Sequence, residues 1–126
     1  MMSEITTSNA PGAIGPYAQA RQHGNVLYVS GQLPVEAKSG EIVASDGPAQ
    51  VAQCLRNIEE IAHAAGTSLS NCLKTTILVT DLSQFERIND VYAAFFSAPY
   101  PARATFEVSA LPKGAMVEVE AVIGIP

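Results

Sequence analysis

Between Pro48 and Thr80 the apolar residues change period once, from helical to alternating, and this switch narrows the possible folds more than any other feature. Val51, Cys54, Leu55, Ile58, Ile61, Ala62 and Ala65 recur at helical spacing, with Gln53, Arg56, Asn57, Glu59 and Glu60 on the opposite side. Gly66 ends the pattern, as helix-closing glycines do. Leu73 to Thr80 then alternates, with Leu73, Thr75, Ile77 and Val79 on one face and Lys74, Thr76, Leu78 and Thr80 on the other. Both faces are largely apolar or hydroxylic, which suits an interior strand.

The flanking segments extend this β-α-β unit. Asn25 to Ser30 is a β-branched and aromatic run, preceded by Tyr17 to Arg21 and a His23-Gly24-Asn25 turn, so two paired strands are expected. A second helix opens at Ser83, with Glu86 three residues on forming a capping box, and carries a stripe of Phe85, Ile88, Tyr92, Phe95 and Phe96. Asn89 falls on that stripe, and an amide among apolar groups must find partners. Ala104 to Val108 and Met116 to Ile123 close the chain as two alternating strands joined through Leu111 to Gly114. The expected order is β-β-α-β-α-β-β, with a hairpin at each end. That is an α+β fold in which both helices cover one face of a mixed sheet.

Residues 1–126 read as a single domain without repeats or low-complexity tracts, and Pro34 to Gly47 as a surface loop. Only 15% of the residues are charged while 48% are hydrophobic, too few charges to cover a lone globule. The uncovered sheet face therefore points to self-association. The net charge is −5 and the seven basic residues never cluster, which argues against a nucleic-acid surface. No leader pattern or membrane-length apolar run is present, so a soluble, cytoplasmic protein is expected. Cys54 and Cys72 lie within apolar stretches and read as buried, reduced thiols rather than metal ligands.

Several catalytic arrangements are missing: there is no glycine-rich phosphate loop, GxSxG, HExxH or CxxC. His23 and His63 have no nucleophile at a recognisable spacing and read as surface residues. Glu118 and Glu120, two apart on the last strand, project from one face, either as a solvated surface or as an acid-base group whose burial raises its proton affinity. Arg103 stands where the chain enters the preceding strand. It is either an ion-pair partner of Glu107 or Glu118, or a fork for a substrate carboxylate, for which the guanidinium geometry is suited.

Four blocks in order, APGAIGPYAQA (10–20), VSGQLP (29–34) with GEI (40–42), AAGTSLSNCLKTTILVTDLSQFERINDVYAAFF (64–96) and PARATFEVSALPKGAMVEVEAV (101–122), resemble the Rid family, also called YjgF-like. The resemblance covers nearly the whole chain. It implies the chorismate-mutase-like fold and a homotrimer with clefts between neighbouring subunits. It also implies hydrolysis of reactive enamine and imine acids (2-aminoacrylate, 2-iminobutanoate, 2-iminopropanoate) to 2-keto acids and ammonia, without cofactor or metal. Carried over by position, Arg103 binds the substrate carboxylate and Glu118, on the adjacent strand, positions the attacking water. Tyr17, Ser30 and Asn89 match cleft-lining residues, Tyr17 reaching across an interface. For Asn89 a helix cap or an interhelical bond, and for Tyr17 a packed core position, are the alternatives.

Many bacterial members have cysteine two residues after the arginine. Here Thr105 stands there, and it keeps the backbone N–H credited with contacting the carboxylate. The loop before Pro101 is short, which bears on cleft size. Some YjgF-like proteins are credited with endoribonuclease or translation-inhibitor activity, and a non-catalytic trimer that binds small carboxylates is a further reading.

Overall fold

A computed structural model of the chain describes residues 2–43 and 45–126. Its strands are β1 (Met2–Ile5), β2 (Ala20–His23), β3 (Val26–Gln32), β4 (Cys72–Val79), β5 (Ala102–Glu107) and β6 (Val117–Gly124), and its helices α1 (Gly47–Ala64) and α2 (Phe85–Ala94). The strands form one mixed sheet in the order β1-β2-β3-β6-β4-β5. Both helices pack against one of its faces, α1 contacting β3, β6 and α2.

The apolar stripe of α1 is the centre of the core: Val51, Cys54, Leu55, Ile58, Ile61 and Ala62 are all fully buried. They meet Leu27, Ile77, Val79, Val117, Val119 and Ile123 from the sheet. Truncating one of these, such as Ile58 to alanine, would cost about 2–5 kcal/mol. Asp46 caps α1 by accepting the Ala49 N–H at 2.8 Å, and Pro48 occupies the first turn, where its missing N–H costs nothing. Gly47 lets the helix start close to α2, because a methyl there would come within 2.8 Å of the Ile88 Cδ1 atom.

Four expectations are corrected. The last two strands do not form a hairpin. β5 lies parallel to β4 at the sheet edge, reached through α2, while β6 runs antiparallel between β3 and β4. The α1 crossover leaves that slot open, and an apolar alternating strand is the best filler for it. Second, the first strand of the hairpin starts at Ala20 rather than Tyr17, and β1 pairs outside it. Third, Leu73 does not share the buried face of Thr75, Ile77 and Val79: the register slips between Cys72 and Lys74, and Leu73 is exposed. Fourth, the Ser83 and Glu86 pair is not the cap. Asp81 accepts the Ser83 N–H at 2.9 Å and opens a 3-10 turn, Leu82–Gln84, from which α2 continues.

The stretch between Pro34 and Val43 is a tight hairpin-like turn, with Val35 bridged to Ile42 and Val43 N–H donated to Pro34 at 3.0 Å. Ala44 lies outside the described residues. The segment before β2 is held by one side chain. Gln19, buried, accepts the Thr7 N–H at 2.7 Å and donates its amide to the carbonyls of Thr7, Ala10 and Pro11.

Candidate functional site

Alternation along β5 fixes which groups reach its free edge. Arg103 and Thr105 are in register with Thr75 and Ile77, whose side chains face the helices, so they share that face. Val108 donates its N–H to Val79 at 2.8 Å, and backbone direction alternates along a strand, so Thr105 turns its N–H outward. An edge residue thus keeps a donor that no ladder uses.

Arg103 is exposed but held. Its Nη1 donates to Asn89 Oδ1 at 2.6 Å, and its guanidinium carbon lies 5.2 Å from the Phe85 ring centroid and 5.0 Å from that of Tyr92. Two aromatic faces at these distances attract a cation and fix its plane. Tyr92 is itself fixed, its hydroxyl paired with Thr75 Oγ1 at 2.6 Å, and burial holds its proton affinity above the ordinary phenol value. Among the described residues no carboxylate pairs with Arg103, and Glu107, one of the two expected partners, accepts the Leu82 N–H at 2.9 Å instead. The amide of Asn89 therefore orients the guanidinium without neutralising it. Asn89, Tyr92, Ala93, Tyr100, Pro101 and Arg103 line a recess of about 480 Å³.

Glu118 stands elsewhere. β4 separates its strand from β5, so the expectation of adjacent strands is corrected. Glu118 is in register with Leu78, and Arg103 with Thr75 three residues away, which places their Cα atoms roughly 14 Å apart and on opposite faces of the sheet. The Glu118 carboxylate is half-buried and folds over Gly31 of β3. Burial, then the neighbouring Glu120, raise its pKa above the ordinary carboxylate range.

Gly31 also lines a second recess, of about 160 Å³, with Tyr17, Leu33, Val35 and Lys113. Tyr17 is half-exposed there, not packed in the core. Ser30 donates its hydroxyl to the Ala18 carbonyl at 2.6 Å and its N–H to Gln19 at 2.9 Å, so its observed role is to pin β3 to the segment entering β2. The expected residues thus fall into two groups on one chain: Arg103, Asn89 and Thr105 at the β5 edge, and Tyr17, Ser30 and Glu118 around the β3 and β6 crease.

The remaining titratable candidates belong to neither group, although Cys54 is electrostatically coupled to Glu118 and Cys72 to Tyr92. Cys54 and Cys72 are free; burial pushes the Cys54 thiol well above its ordinary value and that of Cys72 up to about 11. Cys72 is only half-buried, so the expectation of two buried thiols holds for Cys54 alone. His23 and His63 are exposed. Among the described residues no cluster of three His, Cys, Asp or Glu could hold a metal, and no helix is long and apolar enough to cross a membrane. The sequence reading missed the two rings that clasp Arg103, although Phe85 and Tyr92 were on its stripe, and it missed Gly31, which no local pattern marks.

The family model described as Endoribonuclease L-PSP matches residues 7–125. A RutC family protein of Sinorhizobium fredii is 56% identical over 125 residues, covering 99% of both chains. The human 2-iminobutanoate/2-iminopropanoate deaminase is 43% identical over 118 residues, covering 94% of this chain and 86% of the human one. The crystal structure of RidA from the Antarctic bacterium Psychrobacter sp. superposes with a TM-score of 0.94 at 44% identity, over 98% of this chain and 99% of that one. With the sheet order, the helix pair and the sequence blocks all in agreement, the chain belongs to the Rid/YjgF-like family.

Proposed function

We propose that this protein hydrolyses reactive enamine and imine acids of the 2-aminoacrylate, 2-iminobutanoate and 2-iminopropanoate type to 2-keto acids and ammonia. The observation that carries this reading is Arg103, a guanidinium fixed by Asn89 and two rings yet left without a carboxylate partner among the described residues. Such a group is built to take a carboxylate from outside, and the outward Thr105 N–H beside it supplies a further donor. The human relative's name points to the same substrate class.

Since Arg103 and Glu118 lie on opposite faces of one sheet, the reading requires a second copy of the chain. The cleft then takes Arg103, Asn89 and Thr105 from one copy and Tyr17 and Glu118 from its neighbour, in a homotrimer. Arg103 and the Thr105 N–H hold the carboxylate. Glu118, its proton affinity raised by burial, takes a proton from the water that attacks the iminium carbon, and ammonia leaves from the resulting carbinolamine. Free imines of this kind already react with water, so positioning and electrostatics need supply only a modest acceleration.

Threonine fed through a threonine dehydratase tests the reading, with early keto-acid formation followed in the presence and absence of the protein. Acceleration by the wild-type chain that Arg103→Ala removes is the expected result; no acceleration ends the proposal. The description of the matching family model favours a second reading, an endoribonuclease. The net charge of −5 and the scattered basic residues oppose it. Cleavage of RNA by the purified protein, abolished by a cleft substitution, would revive it.

A further inference from the structure

Gly31 has no conformational reason to be glycine. Gly24, Gly40, Gly66 and Gly114 adopt left-handed backbone, but Gly31 does not, and glycine in a strand interior weakens the strand. What demands it is a side chain from another strand. A methyl group on Gly31 would overlap Glu118 Oε2, and would approach Cδ to 2.9 Å and Cγ to 3.3 Å. The whole end of Glu118 rests on the bare Cα.

The backbone around Gly31 is arranged for this contact. Val29 pairs with Ala121 and Gln32 with Val119, so three steps along β3 match two along β6, and one extra residue is bulged out at Ser30 and Gly31. The bulge is pinned from the other side by the two bonds from Ser30 to Ala18 and Gln19. It cannot relax toward β6 without breaking them. Bulges re-aim side chains, and this one opens a crease beside the recess lined by Tyr17 and Lys113.

We propose that Gly31 is a positioning residue for Glu118: the missing side chain is the seat in which the carboxylate is held against β3, partly out of water. The inference rests on the deaminase reading above for its functional meaning, and on geometry alone for the seat. Filling the seat would swing the carboxylate into solvent while leaving Arg103, three strands from Gly31 in the sheet, untouched. Glu120 on β6 and the Cys54 thiol of α1 are the titratable groups coupled to Glu118; β3 meets it with Gly31 and β4 pairs it with Leu78.

The test is Gly31→Ala, alone and combined with Glu118→Ala, in the full-length protein. In Gly31→Ala the turnover number is expected to fall about tenfold, while 2-ketobutyrate binding by calorimetry stays within about twofold, because its anchor is intact. The carboxyl carbon of Glu118, followed by NMR, is expected to titrate at lower pH than in the wild type; an unmoved titration overturns the proposal whatever the rate does. In the Glu118→Ala background, Gly31→Ala is expected to change the residual rate less than about twofold. A further fall there would mean Gly31 acts on its own account and would overturn the proposal. If Gly31→Ala alone does not fold, recovery of folding by the added Glu118→Ala supports the seat, and continued misfolding refutes it. Should the wild type hydrolyse no imine, the functional reading fails while the titration still decides the seat.

Discussion

The β5 edge and the β3–β6 crease each display a charged group, and they hold it by opposite means. Arg103 is exposed, clasped by two rings and an amide from α2, and no carboxylate among the described residues pairs with it. Glu118 is half-buried, supported by an absent side chain, and crowded by a like charge, so its ionised form is disfavoured. The first arrangement favours catching an anion and the second favours exchanging a proton. Neither region contains the other's chemistry, which is why the proposed reaction needs two copies.

Removing the guanidinium should have the largest effect. Arg103→Ala is expected to lower kcat/KM for imine hydrolysis on the order of a hundredfold or more, and Arg103→Lys, which keeps the charge but loses the fork, about tenfold. Full activity in Arg103→Ala would remove the β5 edge from the site. Glu118→Gln should lower kcat about ten- to a hundredfold and leave calorimetric binding of 2-ketobutyrate intact; loss of binding would mean that the two regions are not divided as described. Mixing Arg103→Ala and Glu118→Gln chains by joint refolding sharpens the point. Sites shared between copies should recover about one quarter of wild-type activity in an equal mixture, and a cleft within one chain should recover none.

Smaller effects test the supports. Asn89→Ala should raise KM about fivefold with little change in kcat, since only the aim of Arg103 is lost. Tyr92→Phe keeps the ring but leaves buried Thr75 without its partner, so denaturant unfolding should register a loss of about 1–2 kcal/mol with activity nearly unchanged. A large loss of activity would show that the hydroxyl, not the ring, matters to Arg103. The least effect concerns pH. Burial and Glu120 raise the pKa of Glu118, so the native state binds its proton more tightly than the unfolded chain does. Its contribution to stability is present at low pH and lost as pH rises from the ordinary carboxylate range through the raised value. The melting temperature of Glu118→Gln relative to wild type should therefore climb across that window and level off above it. A flat difference would mean that the crease does not shed water from the carboxylate.

Periodicity made most of the architecture legible. The α1 stripe from Val51 to Ala62 and the β6 alternation name residues that the structure buries, because each depends only on side-chain direction along one element. Ala65 is only half-buried, and Asn57, read onto the polar side, is buried, donating to the Leu33 and Val35 carbonyls. Strand order was not legible: nothing in Met116 to Ile123 distinguishes a hairpin partner of β5 from a strand inserted between β3 and β4, since pairing is a long-range choice. β1 was missed because Met2–Ile5 is short and mostly exposed, with little alternation to detect. Ser83 and Glu86 satisfy a capping pattern that Asp81, two residues earlier, pre-empts. In the site, Asn89 was legible as an amide out of place, and its bond to Arg103 resolves the oddity without a helix cap. The Gly31 seat was not, because its cause is a glutamate on another strand.

Gln19 has a consequence of a different kind. Its amide reads only main-chain atoms of Thr7, Ala10 and Pro11, so it grips the path of that segment and none of its side chains. Apart from Ala10, which is buried in the core, the stretch leading to Tyr17 can then exchange side chains while its course stays fixed, and a single glutamine decides whether that freedom exists.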